Sequence, residues 1–203
     1  KDAQDQGYAE PDPTMDVSGM DAAQKLAILC RIAFHSTATG SEVFCEGIER
    51  IESRDIEYAR ELGYVIKLLA IAKQRDGRVE ARVYPAMVPV DSLLANIHDE
   101  FNGIQVQGSA VGPQVFSGRG AGQMPTASAV VADMVELVER KVAGATTSIG
   151  DMILGEEAVA IASIEGVEMR YFLRALVQDR PGVLERIARI LAEERITILA
   201  NAA

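Results

Sequence analysis

The sequence predicts an α+β fold in which helices pack on one face of a mixed or antiparallel sheet. An apolar segment with helical periodicity spans residues 19–35, and alternating apolar and polar residues mark later strands at 78–87, 101–106 and 109–117. Turn dipeptides separate these strands at short spacing, which is typical of antiparallel pairing. Helices interleaved with such strands favour an α+β layer over a regular βαβ array.

The first long helix is predicted from about residue 19 to residue 35. Ser18 is expected to cap it, with Asp21 three residues later as the acid of a capping box. The run Leu26–Phe34 is almost wholly apolar, so most of this helix is expected to be buried.

The stretch before this helix is predicted to be a loop. Pro11 and Pro13 lack backbone N–H groups and push their preceding residues toward extended geometry. This loop carries three acids, Glu10, Asp12 and Asp16.

Asp21 and Lys25 are four residues apart and therefore share a helix face. Lys25 is in line with Ile28, Leu29 and Ile32, so the pair is expected to lie beside apolar surface that excludes water. Two interpretations follow. The pair is either an ordinary capping acid with its salt-bridge partner, or a functional acid–base pair.

The middle of the chain alternates between predicted helices and strands. The expected elements are a strand at 41–51 with a bulge at Gly47, a long helix at 55–74, a turn at Asp76-Gly77, a short helix at 93–97, and a strand pair joined around Gln107-Gly108.

A glycine-rich segment, Gly118–Thr126, precedes a predicted helix at 127–142. Such a segment either forms a tight turn that needs positive φ or lets backbone amides approach an anion at a helix N-terminus. Residues 144–166 are richer in small and turn-forming residues and are predicted to be a connector between a first domain, 1–143, and a second, 167–203.

Composition excludes several classes of function. The chain has 203 residues and a formal net charge of −10, which argues against binding to nucleic acid or to an anionic membrane. No stretch has the length of a transmembrane helix. Cys30 and Cys45 show neither metal-binding nor redox spacing, so free thiols and a cytoplasmic location are expected. His35 and His98 stand apart, and no metal is expected.

The acidic loop and the first helix carry a motif that resembles the signature of homoserine dehydrogenases. Its fixed positions are Ala3, Gly7, Tyr8, Ala9, Glu10, Asp12, Pro13, Asp16, Val17, Gly19, Asp21 and Lys25. The resemblance implies NADP- or NAD-dependent interconversion of L-homoserine and L-aspartate 4-semialdehyde in threonine, methionine and isoleucine biosynthesis. It implies that Lys25 is the general acid/base, that Glu10 and Asp21 bind substrate, and that Asp16 helps to shape the site.

The same resemblance extends to the glycine-rich segment, which is similar to the family's GxGAGxxPTA sequence. It implies that Gly120 and Gly122 lie near the nicotinamide end of the cofactor, and that residues 118–143 pack on a cofactor domain. The sequence shows no dinucleotide-binding fingerprint, which consists of a strand, a glycine-rich turn and a later acidic residue. We therefore expect the chain to be a fragment that is inactive alone. In the resembling family the sheet of this region pairs two subunits, so we also expect a homodimer or higher homo-oligomer.

Residues 167–203 resemble the opening of an ACT domain, a ferredoxin-like module. A predicted strand at 168–177 is followed by the DRPGVL segment, a helix to about residue 194 and the start of a second strand. The resemblance implies a partial ACT domain with a site for an amino-acid effector at Asp179, Arg180, Gly182, Val183 and Leu184. The alternative is a plain loop before a helix that begins near Pro181.

Two further functions remain open from the sequence. The chain could be a non-catalytic dimerisation and amino-acid-sensing fragment. It could also belong to another oxidoreductase whose small-substrate domain shares the helix but lacks the acidic loop. Glu10 distinguishes this last possibility from an enzyme with an amino-acid substrate, because such a substrate needs carboxylates for its ammonium group.

Overall fold

A computed structural model describes residues 12–145 and 158–199 of the chain. The helices are α1 (Thr14–Ser18), α2 (Met20–Phe34), α3 (Ser53–Glu61), α4 (Gln123–Val142) and α5 (Val183–Glu193), with short 3₁₀ turns at Gly40–Glu42, Leu94–Asn96 and Ile164–Gly166. The strands are β1 (Phe44–Cys45), β2 (Tyr64–Arg75), β3 (Arg78–Pro89), β4 (Phe101–Gly108) and β5 (Gly112–Arg119). The architecture is the predicted α+β class.

The described strands form two sheets. In the first, β3 lies between β1, which is parallel to it, and β2, which is antiparallel to it. The β2–β3 hairpin turns at Asp76 and Gly77, whose φ angles are +51° and +72°. Two successive positive φ angles match the right-handed twist of the strands, so the Asp-Gly turn prediction is confirmed.

The core lies between α2 and the first sheet. Ala23, Leu26, Ala27 and Cys30 on α2 pack in one buried cluster with Val79, Ala81 and Val83 on β3. Alternate residues of a strand share a face, which places these three β3 side chains toward α2. This packing fixes the helix that carries Asp21 and Lys25 against the sheet.

The long helix predicted at 55–74 is wrong. Helix α3 ends at Glu61, and the chain continues as strand β2 from Tyr64 to Arg75. Gly63 separates the two elements with φ of +81°, a conformation that stops a helix at little steric cost only in glycine. The strand then pairs along its whole length with β3, and this long-range pairing overrides the local helical periodicity.

The second sheet contains only β4 and β5 among the described residues. The predicted hairpin is confirmed, although its turn falls at residues 109–111 rather than at Gln107-Gly108. Gly103 packs toward Ile97 and Leu94, where a β-carbon would lie 3.0 Å from the Ile97 side chain. The segment that contains the 3₁₀ turn therefore contacts one face of this hairpin at Gly103.

Residues 158–199 contact earlier parts of the described chain, around Ser36 and Val79 and at the start of α3. Val159 and Ile161 form parallel bridges with Ser36 and Val79, and the buried Ser36 hydroxyl donates to the Val159 carbonyl at 2.8 Å. Arg174 pairs with Glu52 and Asp55 at the start of α3 and lowers the pKa of Glu52 through a hydrogen bond and its positive charge.

The strand predicted at 168–177 is wrong, because these residues pair with no strand in the described chain. A strand needs a neighbour for its backbone N–H and C=O groups, and none is present there. The predicted helix up to about residue 194 is confirmed as α5. The connector prediction at 144–166 falls partly on residues 146–157, which lie outside the described residues.

Within the described ranges, no helix combines the length and apolar character needed to cross a bilayer.

Candidate active site

The acidic segment enters the described structure at Asp12. The Asp12 carboxylate accepts hydrogen bonds from the Thr14 hydroxyl at 2.6 Å and from the Thr14 amide at 3.1 Å, and these bonds lower the pKa of Asp12. Asp16 lies in helix α1 and not in the predicted loop, because the helix begins directly after Pro13. Glu10 and the rest of the motif before residue 12 lie outside the described residues.

Gly19 joins the two helices of the site. Its φ is +81°, and it ends α1 and precedes the first residue of α2. The prediction of Ser18 as the helix cap is wrong, since Gly19 occupies that position and Ser18 ends α1. The Ser18 hydroxyl still accepts from the Met20 amide, at a long distance of 3.4 Å.

Gly19 is buried against the sheet. A β-carbon at this position would lie 3.0 Å from Cys45 Sγ and 3.1 Å from a methyl group of Val83. Positive φ and this close approach both require glycine. Gly19 thus brings the junction of the two acidic helices into direct contact with strands β1 and β3.

Lys25 and Asp21 form the predicted pair on α2. Lys25 Nζ lies 2.6 Å from Asp21 Oδ2, and the side chains are 61% and 39% exposed. Exposed ion pairs of this spacing add little to stability, about 0.3–0.5 kcal/mol. The pair therefore contributes little to stability, and both side chains are accessible to solvent.

The expected burial beside Lys25 is wrong for the described chain. Ile28 is 59% exposed and Ile32 is 54% exposed, while the buried residues of α2 lie on its other side. Nothing among the described residues covers this apolar stripe. It forms a continuous apolar surface next to the Lys25 ammonium group.

Strand β1 and the turn after it lie against the α1–α2 junction. The Cys45 thiol donates to the Ser18 carbonyl at 3.2 Å, and the Ile48 amide donates to the Val17 carbonyl at 2.9 Å. An open cavity of about 590 Å³ adjoins this contact, lined by Phe44, Cys45, Glu46, Gly47, Glu49 and Arg50. The predicted strand at 41–51 shortens to two residues, and Gly47 lies in the loop after β1 rather than in a bulge.

The glycine-rich segment forms the turn between β5 and α4. Gly122 has φ of +110°, which agrees with the tight-turn interpretation. The Gly120 amide donates to the Glu100 carbonyl at 3.1 Å, and a β-carbon there would overlap the Asn102 side chain. Contacts within the chain therefore explain both glycines without a ligand.

Helix α4 presents an uncovered apolar face. Val131, Met134, Val135 and Val138 line a shallow groove of about 330 Å³ along the helix. Each of these side chains is more than half exposed. A helix with this much exposed apolar surface is typical of a docking face.

The residues of the predicted effector site lie at the start of α5. Gly182, with φ of +85°, precedes the helix, and the Val183 amide donates to the Arg180 carbonyl at 3.4 Å. Asp179 and Leu184 are exposed. The ACT domain and its effector site remain predictions.

The described residues contain no cluster of three or more His, Cys, Asp or Glu side chains arranged to hold a metal ion.

Comparison with known proteins identifies the family. A family model described as homoserine dehydrogenase matches residues 1–135. A homoserine dehydrogenase of Pseudomonas aeruginosa is 42% identical over 200 residues, which are 97% of this chain and 46% of that protein. A homoserine dehydrogenase of Corynebacterium glutamicum is 44% identical over 200 residues, which are 95% of this chain and 44% of that protein.

A solved structure agrees with these matches. The crystal structure of a homoserine dehydrogenase from Thiobacillus denitrificans superposes with a TM-score of 0.83 and 41% identity, covering 98% of this chain and 47% of that one. These matches define an oxidoreductase family as the class of this protein. The chain belongs to the homoserine dehydrogenase family, and it spans about half the length of the relatives it matches.

The two cysteines provide a test of the site geometry. Burial raises the pKa of the Cys30 thiol, and burial followed by the nearby Glu49 charge raises that of Cys45. A raised pKa leaves less thiolate, which is the reactive form. Cys45, which lines the open cavity, should react slowly with a thiol reagent near neutral pH, and the rate should still be rising at pH 9, above the ordinary thiol pKa of about 8.5.

Cys30 should stay unreactive until the protein unfolds, because its side chain is fully buried. Mass spectrometry of the modified protein across a pH series measures both rates. Labelling of Cys30 in the folded protein, or a Cys45 rate that levels off below pH 8.5, would contradict the described packing.

Proposed function

We propose that the protein containing this chain is an NAD(P)-dependent homoserine dehydrogenase, which interconverts L-homoserine and L-aspartate 4-semialdehyde for threonine, methionine and isoleucine biosynthesis. This chain supplies the substrate site. The observation that carries the proposal is the pair of Lys25 and Asp21, 2.6 Å apart and open to a ligand, at the motif positions of the family to which the chain belongs. Family membership favours this function over a non-catalytic sensing fragment.

Lys25 supports the proton-transfer half of the reaction. Oxidation of the carbinol requires the hydroxyl proton to leave as the carbon loses hydride, and Lys25 accepts that proton at Nζ when its side chain is in the neutral, amine form. A nicotinamide cofactor, when bound by the full-length protein, would supply the acceptor for the hydride. In the reverse direction, Lys25 returns the proton to the oxygen of the aldehyde. The proposed oxidation thus converts one alcohol to an aldehyde, with one nicotinamide reduced and one proton released.

Asp21 orients Lys25 and offers a carboxylate to the substrate. Its Oδ2 atom accepts the lysine hydrogen bond at 2.6 Å, which holds the ammonium group on one side of the helix. A second carboxylate oxygen remains for the substrate ammonium group. We assign the same substrate-binding role to Glu10 from the family motif, and a shaping role to Asp16 on α1.

The uncovered apolar surfaces support a cofactor domain over the site. The stripe beside Lys25 and the exposed face of α4 are both too apolar to be left in water without a partner. Docking of a cofactor domain there would exclude water from Lys25 and raise the strength of its interactions. Gly120 and Gly122, at the turn into α4, are proposed to lie near the nicotinamide end, as the family pattern implies.

Replacing the lysine tests the proposed function directly. In the full-length protein, Lys25→Ala should lower kcat for homoserine oxidation by about 10²- to 10⁴-fold, the range for losing a general acid/base. The fold should survive, because the lysine side chain is mostly exposed. Spectrophotometric detection of reduced cofactor measures the rate.

Lys73→Ala is the matched control, since Lys73 is an exposed lysine on β2. Its turnover should equal that of the wild type. Near-normal turnover in Lys25→Ala would remove the lysine from the mechanism, and a wild-type protein without homoserine activity would remove the proposed function itself.

We propose that the β4–β5 hairpin is the homodimer surface. Ile104, Val106 and Phe116 share the face opposite the 3₁₀ turn, and Phe116 is 63% exposed. A two-stranded sheet alone is marginally stable in water, so this apolar face needs a cover. A second copy of the chain provides a self-complementary partner.

A charge on this face should disrupt the dimer. The full-length wild type should sediment as a dimer or larger homo-oligomer at micromolar concentration, and Phe116→Asp should shift it toward monomer in analytical ultracentrifugation. Ile56→Asp, an equally polar change on α3, should leave the assembly intact. A monomeric wild type, or an unchanged assembly in Phe116→Asp, would assign this surface another role.

A further inference from the structure

The segment after β1 holds the backbone just before α2, the helix that carries Asp21 and Lys25. Two hydrogen bonds cross this contact, from the Cys45 thiol to the Ser18 carbonyl at 3.2 Å and from the Ile48 amide to the Val17 carbonyl at 2.9 Å. Residues 17 and 18 are the last of α1, so both bonds end immediately before Gly19. The two bonds join residues that are 27 and 31 positions apart in the sequence.

Gly47 allows this close approach. A β-carbon at Gly47 would overlap the Val17 carbonyl oxygen and lie 2.8 Å from the Ser18 α-carbon. Backbone atoms cannot swing aside as a side-chain end can, so any residue other than glycine would push residues 17 and 18 away. Glu49 Oε2, which the same β-carbon would also overlap, is the end of a flexible side chain and could move.

A displacement of this backbone would also move the residues of the site on α2. Gly19 follows directly, is buried against Cys45 and Val83, and precedes the first residue of α2, which packs on the sheet. Asp21 is in the first turn of α2, and Lys25 is bonded to Asp21 one turn later. A shift at residues 17 and 18 therefore reaches Asp21 within one helical turn.

We propose that Gly47 and Cys45 are positioning residues for the homoserine site, which fix the start of α2 and thereby the placement of Asp21 and Lys25. This inference rests on the proposed function for its kinetic consequences. Neither residue is proposed to touch the substrate. A misplacement of about 1 Å in a catalytic group lowers rate by about 10²-fold, so a small steric change at residue 47 is enough for a large effect.

Gly47→Ala in the full-length protein is the test variant. Gly166→Ala is the matched control, because a β-carbon at Gly166 meets no atom within 4 Å and its φ is not positive. Both variants receive the same single methyl group. The measurements are thermal unfolding, KM for homoserine, KM for the nicotinamide cofactor, kcat, and hydrogen exchange of peptides that cover residues 14–25.

Gly47→Ala should lower kcat/KM for homoserine by about tenfold or more, with a raised homoserine KM and an unchanged cofactor KM. Amides in residues 14–25 should exchange faster than in the wild type. Gly166→Ala should match the wild type in every parameter. A purely structural defect would instead reduce kcat through loss of folded enzyme and leave both KM values unchanged.

Equal homoserine KM and equal exchange in the two variants would overturn the proposal. If Gly47→Ala does not fold, Cys45→Ala decides. That change removes the thiol donor without adding atoms, and it should raise the homoserine KM a few-fold, with partial recovery in Cys45→Ser, which keeps a donor. An unchanged KM in Cys45→Ala would also overturn the proposal.

The exchange measurement separates this proposal from the proposed function. A wild-type protein that does not oxidise homoserine would refute the function. In that case, faster exchange at residues 14–25 in Gly47→Ala alone would still support the positioning role, and equal exchange would refute it.

Discussion

The left-handed backbone at Gly19 is the constraint on which the site depends. Its φ of +81° turns the chain from α1 into α2, and its backbone packs directly against Cys45 and Val83 of the sheet. Any side chain would be strained by the positive φ and crowded by the sheet at once. The acidic helices are therefore joined to the core at a point that cannot move without disturbing β1 or β3. The placement of the ion pair on α2 depends on this junction together with the packing of α2 on β3.

Local signals were sufficient to predict much of the fold. The Asp76-Gly77 turn, the second hairpin and helix α2 follow from turn chemistry and apolar periodicity, and all three are present. The helix predicted at 55–74 failed because residues 64–75 fit both helical and strand patterns. Residues 64–75 form a strand because they pair with β3, a contact between separate segments. Gly63 was the local signal for the break.

The site was predictable in its residues but not in its surroundings. Spacing of four placed Asp21 and Lys25 on one helix face, and they form the expected pair. Their exposure was not predictable, because it depends on surfaces outside the helix itself. Gly47 and Cys45 escaped prediction for a similar reason: their contacts with residues 17 and 18 arise only when the chain folds. A glycine inside an apparent strand signalled a close backbone approach, which a bulge would also explain.

The exposed apolar faces of α2, α4 and the β4–β5 hairpin fit a chain that spans about half of its relatives' length. In the proposed reaction, Lys25 exchanges the proton of the substrate hydroxyl. A crystal structure of the full-length protein with homoserine and NAD or NADP tests this most directly. Lys25 Nζ should lie within hydrogen-bond reach of the carbinol oxygen, at about 2.6–3.2 Å. A complex in which Lys25 faces solvent while another group contacts that oxygen would contradict it.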